Sequence, residues 1–188
     1  MNINNFYKII LPENSVGYTV NTKDNTTVKH GSDFSFTVDM AEGYSKTEDF
    51  AVKVNGLAIE DVNGVYTINN VTNQKTVTVE GVADITAPEA EIKVSTHSFN
   101  SFLNKITFER FFKETQKATV TASDSGSGVK SIYYLVSDKA LTIDEVKAAE
   151  WTDYDSPVNL NPDMMAVVYV KSVDNAGNIS YISSDGLV

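Results

Sequence analysis

Two glycine-containing segments carry the side chains best suited to bind a metal ion. One runs from Asp124 to Gly128 (Asp-Ser-Gly-Ser-Gly) and the other from Asp174 to Asn178 (Asp-Asn-Ala-Gly-Asn). Carboxylate and amide oxygens on turns that contain glycine are ligands that Ca²⁺ accepts. Each segment follows a predicted strand, so the two can meet at one end of a β-sandwich. The calcium candidates are therefore Asp124, Asp174, Asn175 and Asn178.

A purely structural role competes with calcium binding at both segments, and we favour it. Asp and Asn side chains hydrogen-bond to the backbone of their own turn, and glycine supplies the positive φ that such turns need. Both segments also lack the acid density of a dedicated calcium loop. The sequence therefore predicts no metal and no cofactor, with calcium as the alternative.

Trp151 and Tyr154 form the best candidate for a carbohydrate site, because they stand beside Asp153 and Asp155. Exposed aromatic rings with flanking acids are suited to stacking on sugars. A tryptophan near strands is more often a core residue that buries a large apolar area. We favour the core role for Trp151 and keep both residues as ligand candidates.

No combination of residues predicts catalysis. His30 and His97 are expected in exposed turn or loop segments, and no Gly-x-Ser-x-Gly segment surrounds any serine. Nucleophilic catalysis needs a base within hydrogen-bond reach of its nucleophile. The 25 acidic residues include no pair that stands out as an acid and a base. We therefore predict that the chain is not an enzyme and has no catalytic residues.

Composition excludes several further classes of protein. The 188 residues include no cysteine, which removes disulfides and thiolate metal sites. The net charge of −10 argues against a nucleic-acid partner, since such binding depends on clustered Lys and Arg. No run of apolar residues is long enough for a transmembrane helix, and Met1 to Leu11 is too polar and short for a signal peptide.

The elements that must position these residues are mainly β-strands. Apolar and polar residues alternate from Phe34 to Met40, and alternation with a period of two indicates half-buried strands. Further strands are expected at 6–11, 17–22 and 50–54, and around 66–68 and 77–80. Asn55-Gly56 and Asn63-Gly64 predict type I′ hairpins, because both residue types tolerate positive φ. Short strands with frequent turns favour a sandwich.

A boundary is predicted near Thr86-Ala87-Pro88, and the strand pattern restarts after it. Proline fixes its own φ and holds the preceding residue extended, which indicates a short, stiff connector. Residues 141–149 predict a short helix with Thr142 and Glu145 as a capping box, and the helix is expected at a sheet edge. Residues 99–112 form an aromatic cluster without a clear period. We predict two all-β domains, 1–83 and 84–188, each a β-sandwich, with the helix in the second.

The apolar positions of these strands give the predicted cores. In the first domain the core should contain Phe34, Phe36, Val38, Val52, Val54, Tyr66, Ile68, Val77 and Val79. In the second it should contain Ile92, Val94, Val120, Ile132, Tyr134, Val168 and Val170.

Several motifs follow one another in the second half: Ile106–Phe112, Ala118–Val129, Trp151–Tyr154, Asp174–Asn178 and Tyr181–Gly186. Over about residues 84–188 they resemble an Ig-like repeat of multidomain surface proteins of Gram-positive bacteria. The first half is similar, more loosely, to another small β module of such proteins, through Gly43-Tyr44, Val54–Gly56, Gly64–Ile68 and Val71-Thr72.

The resemblance implies a tandem pair of Ig-like domains from an extracellular protein that is secreted or attached to the cell wall. Such modules act as noncatalytic spacers or stalks beside an enzyme or adhesin. The expected partners are neighbouring domains of the same polypeptide, with a host protein or glycan as a further partner, and the chain is expected to be a monomer that does not insert into membranes. The alternative is a carbohydrate-binding module attached to a secreted glycosidase.

Overall fold

The computed structural model describes residues 5–13, 15–94, 97–99, 115–161 and 166–184, with only the backbone described for 97–99. The chain divides into two compact units, Met1–Ile85 and Thr86–Val188, so the division falls two residues after the predicted boundary. The described residues are mainly β-strands with one short helix, which confirms the all-β class.

The described residues of the first unit form nine strands in two sheets. Its strands are β1 (Phe6–Ile10), β2 (Tyr18–Asn21), β3 (Thr27–Lys29), β4 (Phe34–Met40), β5 (Tyr44–Val54), β6 (Leu57–Ile59), β7 (Asp61–Val62), β8 (Val65–Ile68) and β9 (Lys75–Asp84). One sheet has the order β3-β1-β9-β5-β6 and the other β2-β4-β8-β7. All pairs are antiparallel except β1 with β9, which is parallel.

The core of the first unit takes side chains from both sheets, as a sandwich requires. Phe34 and Phe36 of one sheet are fully buried with Ile9, Val52 and Val77 of the other. Both asparagine-glycine turns have the predicted positive φ, 50° and 82° at Asn55-Gly56 and 54° and 82° at Asn63-Gly64. They close the β5–β6 and β7–β8 hairpins, as expected.

The described residues of the second unit also form two sheets. Its elements are β10 (Glu89–Val94), β11 (His97–Phe99), β12 (Gln116–Ser123), β13 (Val129–Ser137), α1 (Ile143–Ala148), β14 (Thr152–Asp153), β15 (Val158–Leu160), β16 (Val167–Asp174) and β17 (Ile179–Ser183). The sheets have the orders β11-β10-β12-β15 and β14-β13-β16-β17. Ile92 and Val120 of one sheet and Val168 and Val170 of the other share one core.

Some predicted core positions are only half-buried, and one residue predicted in a loop lies in a strand. Val38, Val79, Ile132 and Tyr134 are half-buried, because alternation fixes the face of a residue but not how far the opposing sheet extends over it. His97 pairs with Val94 in β11. Of the aromatic cluster predicted at 99–112, only the backbone of Phe99 is among the described residues.

The position of helix α1 corrects a prediction. The helix covers the outer face of a sheet, where Val146 packs with Val167 and Tyr169 of the internal strand β16. Strand β16 is therefore buried on both faces. Its run Val167-Val168-Tyr169-Val170 is continuously apolar, which is the pattern of a strand covered on both sides.

We expect Thr142→Ala to lower the free energy of unfolding of the second unit by about 1 kcal/mol. The capping box is present: the Thr142 hydroxyl accepts from Glu145 N at 3.3 Å, and Thr142 N donates to Glu145 Oε2 at 2.8 Å. The measurement is urea unfolding followed by the fluorescence of Trp151, which packs against the same cluster as the helix. Lys147→Ala, an exposed change in the same helix that leaves the box intact, is the control.

The same box gives this contribution a pH dependence. The Thr142 backbone N–H, the Thr142 hydroxyl and then Lys139 lower the pKa of Glu145 from its ordinary value of 4.5. Because the folded state holds the pKa below the unfolded value, the stabilisation is complete above pH 4.5 and is lost as the pH falls through the lower, folded value. A difference between Thr142→Ala and wild type that persists undiminished in acid would contradict this assignment.

Candidate functional site

The two predicted calcium segments lie against each other in the second unit. Asn175 Nδ2 donates to Ser127 O at 2.8 Å and to Gly128 O at 3.0 Å. The backbone adds two bonds, from Asn175 N to Gly128 O at 3.0 Å and from Ala176 N to Ser127 Oγ at 3.1 Å. These four hydrogen bonds thus join the turn after β12 to the turn after β16 at one end of the sandwich.

Both aspartates accept hydrogen bonds from the backbone of their own turns. Asp124 Oδ1 accepts from Gly126 N at 3.1 Å and Gly128 N at 2.7 Å. Asp174 Oδ1 accepts from Gly177 N at 2.6 Å and Asn178 N at 2.7 Å. Gly128 and Gly177 have φ of 81° and 96°, which favours glycine at both positions. These are the hydrogen bonds expected if the two aspartates serve only to stabilise their turns, which is the role that competes with calcium binding.

The same geometry bears on the calcium prediction. Carboxylate oxygens of Asp124 and Asp174 lie within 4.8 Å of each other, and Asp174 is fully buried. The amide nitrogen of Asn178 donates to Asp174 Oδ2 at 2.8 Å and to Thr86 O at 3.2 Å. Calcium binding by these residues stays the untested alternative to the predicted turn role, and a higher melting temperature in Ca²⁺ than in chelator would establish it.

Tyr154 joins the two sheets of the second unit. Its hydroxyl accepts from Val120 N in one sheet at 2.9 Å. Its ring forms a T-shaped pair with that of Tyr134 in the other sheet, with centroids 6.3 Å apart and planes at 84°. Its own backbone N donates to Ile132 O at 2.9 Å. The hydroxyl of Tyr154 thus already accepts a hydrogen bond within the unit, and sugar binding by Tyr154 stays a prediction.

Trp151 is half-buried on the outer face, where it packs against the cluster formed by Val146, Val167 and Tyr169. The centroid of its ring lies 5.9 Å from that of Tyr181, and its buried Nε1 has no hydrogen-bond partner among the described residues.

The ammonium group of Lys171 lies over the aromatic rings of Tyr133 and Trp151. Lys171 is the cross-strand neighbour of both Tyr133 and Tyr181, and its Nζ lies 4.4 Å from the ring centroid of Tyr133 and 5.2 Å from that of Trp151. A cation over an aromatic face is attracted by the ring quadrupole. No local sequence pattern indicates this arrangement, since it depends on the register of three strands.

The two histidines belong to different units of the chain. His30 is half-buried, and its Nδ1 lies 3.4 Å from the hydroxyl of Tyr7 in strand β1 of the same unit. His97 lies in strand β11 of the second unit. The hydroxyl beside His30 is thus a phenol, whereas a serine triad needs a serine hydroxyl there.

Comparisons with protein-family models, with curated proteins and with solved structures give no match. Among the residues that the structure describes, no helix is both long enough and apolar enough to cross a membrane.

Proposed function

We propose that this chain is a noncatalytic spacer or adhesion-associated segment of a multidomain bacterial protein that is secreted or held at the cell surface. Its two units would be Ig-like modules that keep neighbouring domains apart and carry tension between them. The observation that carries the proposal is the pairing of β1 with β9, the first and last strands of the first unit.

This pairing is parallel, with Ile9 opposite Lys75 and Ile10 opposite Thr76. When tension enters through the start of β1 and leaves through the end of β9, the two strands are pulled in opposite directions along their own axes. The hydrogen bonds between parallel strands then share the load, whereas a hairpin pulled at its open end loses its bonds one at a time. Such an arrangement resists extension.

The surrounding structure holds both strands in place. Strand β9 lies between β1 and β5, and its antiparallel pairing with β5 runs over most of its length. Strand β1 lies between β3 and β9, and its Ile9 is 1% exposed within the core. Sliding β1 along β9 therefore requires Ile9 to leave the core as well, which adds the loss of its buried apolar area to the barrier.

We expect Ile10→Pro to speed unfolding of the first unit under constant force by at least about fivefold, the effect of roughly 1 kcal/mol. Ile9 N donates to Thr26 O on the β3 side. Successive N–H groups of a strand point to opposite edges, so Ile10 N faces β9. Proline removes that donor. The measurement is single-molecule force spectroscopy on the full chain, held near its ends.

Ile10→Ala is the matched control, because it shortens the same partly exposed side chain and keeps the N–H. Equal rates for the proline and alanine variants would contradict the mechanical role of the β1–β9 pair. A glycan array with wild type and Trp151→Ala separates the alternative function: binding that is lost in the variant would favour a carbohydrate-binding module.

A further inference from the structure

The asparagine-glycine hairpin tips of the first unit have closely similar positive φ values but different surroundings. Both tips are exposed, and their φ values agree within 4° at asparagine and are identical at glycine. Apart from the glycine and its two chain neighbours, no described residue has an atom within 4 Å of the position that a Cβ would take on Gly56 or Gly64. We propose that Asn63 is a site of spontaneous deamidation and that Asn55 is protected by its hydrogen bonds.

The reaction needs only the chain and water. The backbone N of the glycine attacks the side-chain Cγ of the preceding asparagine, the new C–N bond closes a succinimide ring, and the Cγ–Nδ2 bond breaks. The proton of the glycine N–H leaves with the amide nitrogen as ammonia. Water then opens the ring at either carbonyl and gives aspartate or isoaspartate. A following glycine favours the attack, because it has no side chain to shield its nitrogen.

Hydrogen bonds to strand β9 protect Asn55 from this reaction. Its Oδ1 accepts from Thr76 N at 2.8 Å, and its backbone N donates to Thr76 O at 2.8 Å. Ring closure requires the asparagine to rotate out of the left-handed turn. At Asn55 that rotation breaks the bond that fixes the side-chain amide, and it works against the three-residue pairing of β6 with β5.

Asn63 has much weaker constraints. Its side chain makes no hydrogen bond with the described residues. Its hairpin is closed by the two-residue strand β7, which lies at the edge of its sheet. The turn has one side-chain bond, from Gly64 N to Asp61 Oδ2 at 2.7 Å, and the exposed Asp61 can exchange that bond for water. The turn at Asn63 can therefore open without disturbing a neighbouring strand.

The product changes the charge and geometry of the tip. Deamidation adds a carboxylate two residues from Asp61, and isoaspartate also adds a methylene to the main chain. Like charges at such spacing repel, and a longer turn no longer matches the two-residue geometry of a type I′ hairpin. In modified molecules the pairing of β7 with β8 is therefore weakened. The fraction of modified molecules increases with the time that the protein has spent in water.

The test is peptide mapping of the wild-type chain during incubation at neutral pH, with aspartate and isoaspartate quantified at both positions. We expect Asn63 to deamidate at least about fivefold faster than Asn55, the factor that one hydrogen bond of roughly 1 kcal/mol makes in a rate. In concentrated urea both sites lose their structure, and the two rates should converge.

Two matched variants show independently which asparagine gives rise to the deamidated species. Asn63→Gln should remove most of the acidic species that accumulate in a charge-based separation, whereas Asn55→Gln should leave them. Equal rates at the two sites in the folded protein, a faster rate at Asn55, or no deamidation at Asn63 would overturn the proposal. A difference that persists in urea would also overturn it, since the folded contacts could not then be its cause.

Discussion

Gly81→Ala is expected to destabilise the first unit by about 2–5 kcal/mol, from strain at positive φ together with overlap in a packed site. Gly81 has a φ of 71°. A Cβ at this position would lie 2.5 Å from both Cα and N of Phe50 and 2.7 Å from the carbonyl carbon of Asp49. These are backbone atoms, so no side-chain rotation relieves the overlap.

The close approach arises from a bulge in the longest strand pair of the unit. Lys46 pairs with Val82 and Ala51 with Glu80, so four residues of β5 lie opposite Gly81 alone. The bulged segment has its own bonds, since Thr47 donates to Asp49 and Lys46 Nζ lies 4.4 Å from the ring centroid of Phe50. Moving the segment aside to admit a methyl group would disrupt both contacts and the adjoining pairs.

Gly64→Ala provides the matched control for this change. Gly64 has a φ of 82°, and apart from its own chain neighbours no described residue has an atom within 4 Å of the position that an alanine methyl group would take. This variant therefore measures the cost of positive φ alone, about 1–2 kcal/mol. Urea unfolding followed by circular dichroism gives the stability of the first unit. The single tryptophan, Trp151, belongs to the second unit, so its fluorescence follows the unfolding of that unit separately. Equal losses for the two alanines would show that overlap at Gly81 contributes nothing.

Local patterns predicted the strands and hairpins of this chain well. The strand Phe34–Met40 has the predicted bounds, and Asn55-Gly56 and Asn63-Gly64 adopt the predicted conformation. In each case the determining interactions are close in sequence: alternation along one strand, or the φ preference of two neighbouring residues. The capping box of α1 is a further example, since its two side chains are three residues apart.

Features that depend on distant residues were not predictable in the same way. The bulge opposite Gly81 requires the register of β5 against β9. The packing of Val146 on Tyr169 requires knowledge of which sheet face lacks a partner. At the candidate site, the Asp and Gly types indicated turns, but the complete burial of Asp174 depends on the other strands around it. Charge and residue type alone provide no measure of that burial.

Asp174→Ala is expected to lower the free energy of unfolding of the second unit by about 3 kcal/mol, because three N–H donors lose the charged acceptor that they share. The carboxylate accepts from Gly177 N, Asn178 N and Asn178 Nδ2, and the side chain is 0% exposed. Water can reach Gly177, which is exposed, so the loss should be smaller than three full hydrogen bonds to a charge. Urea unfolding followed by Trp151 fluorescence measures it.

Asp174→Asn separates the acceptor role from the charge. The amide keeps an oxygen for the backbone donors of Gly177 and Asn178, so the expected loss is about 1 kcal/mol, that of one hydrogen bond. Asp153→Ala, an exposed change in β14 of the same unit, should stay within about 0.5 kcal/mol of wild type. If asparagine were as damaging as alanine, the negative charge would be the essential property of Asp174, and a cation beside Asp124 would become the better explanation for it. If asparagine is tolerated, the aspartate acts as the acceptor that closes the turn after β16, and the segment needs no ion to fold.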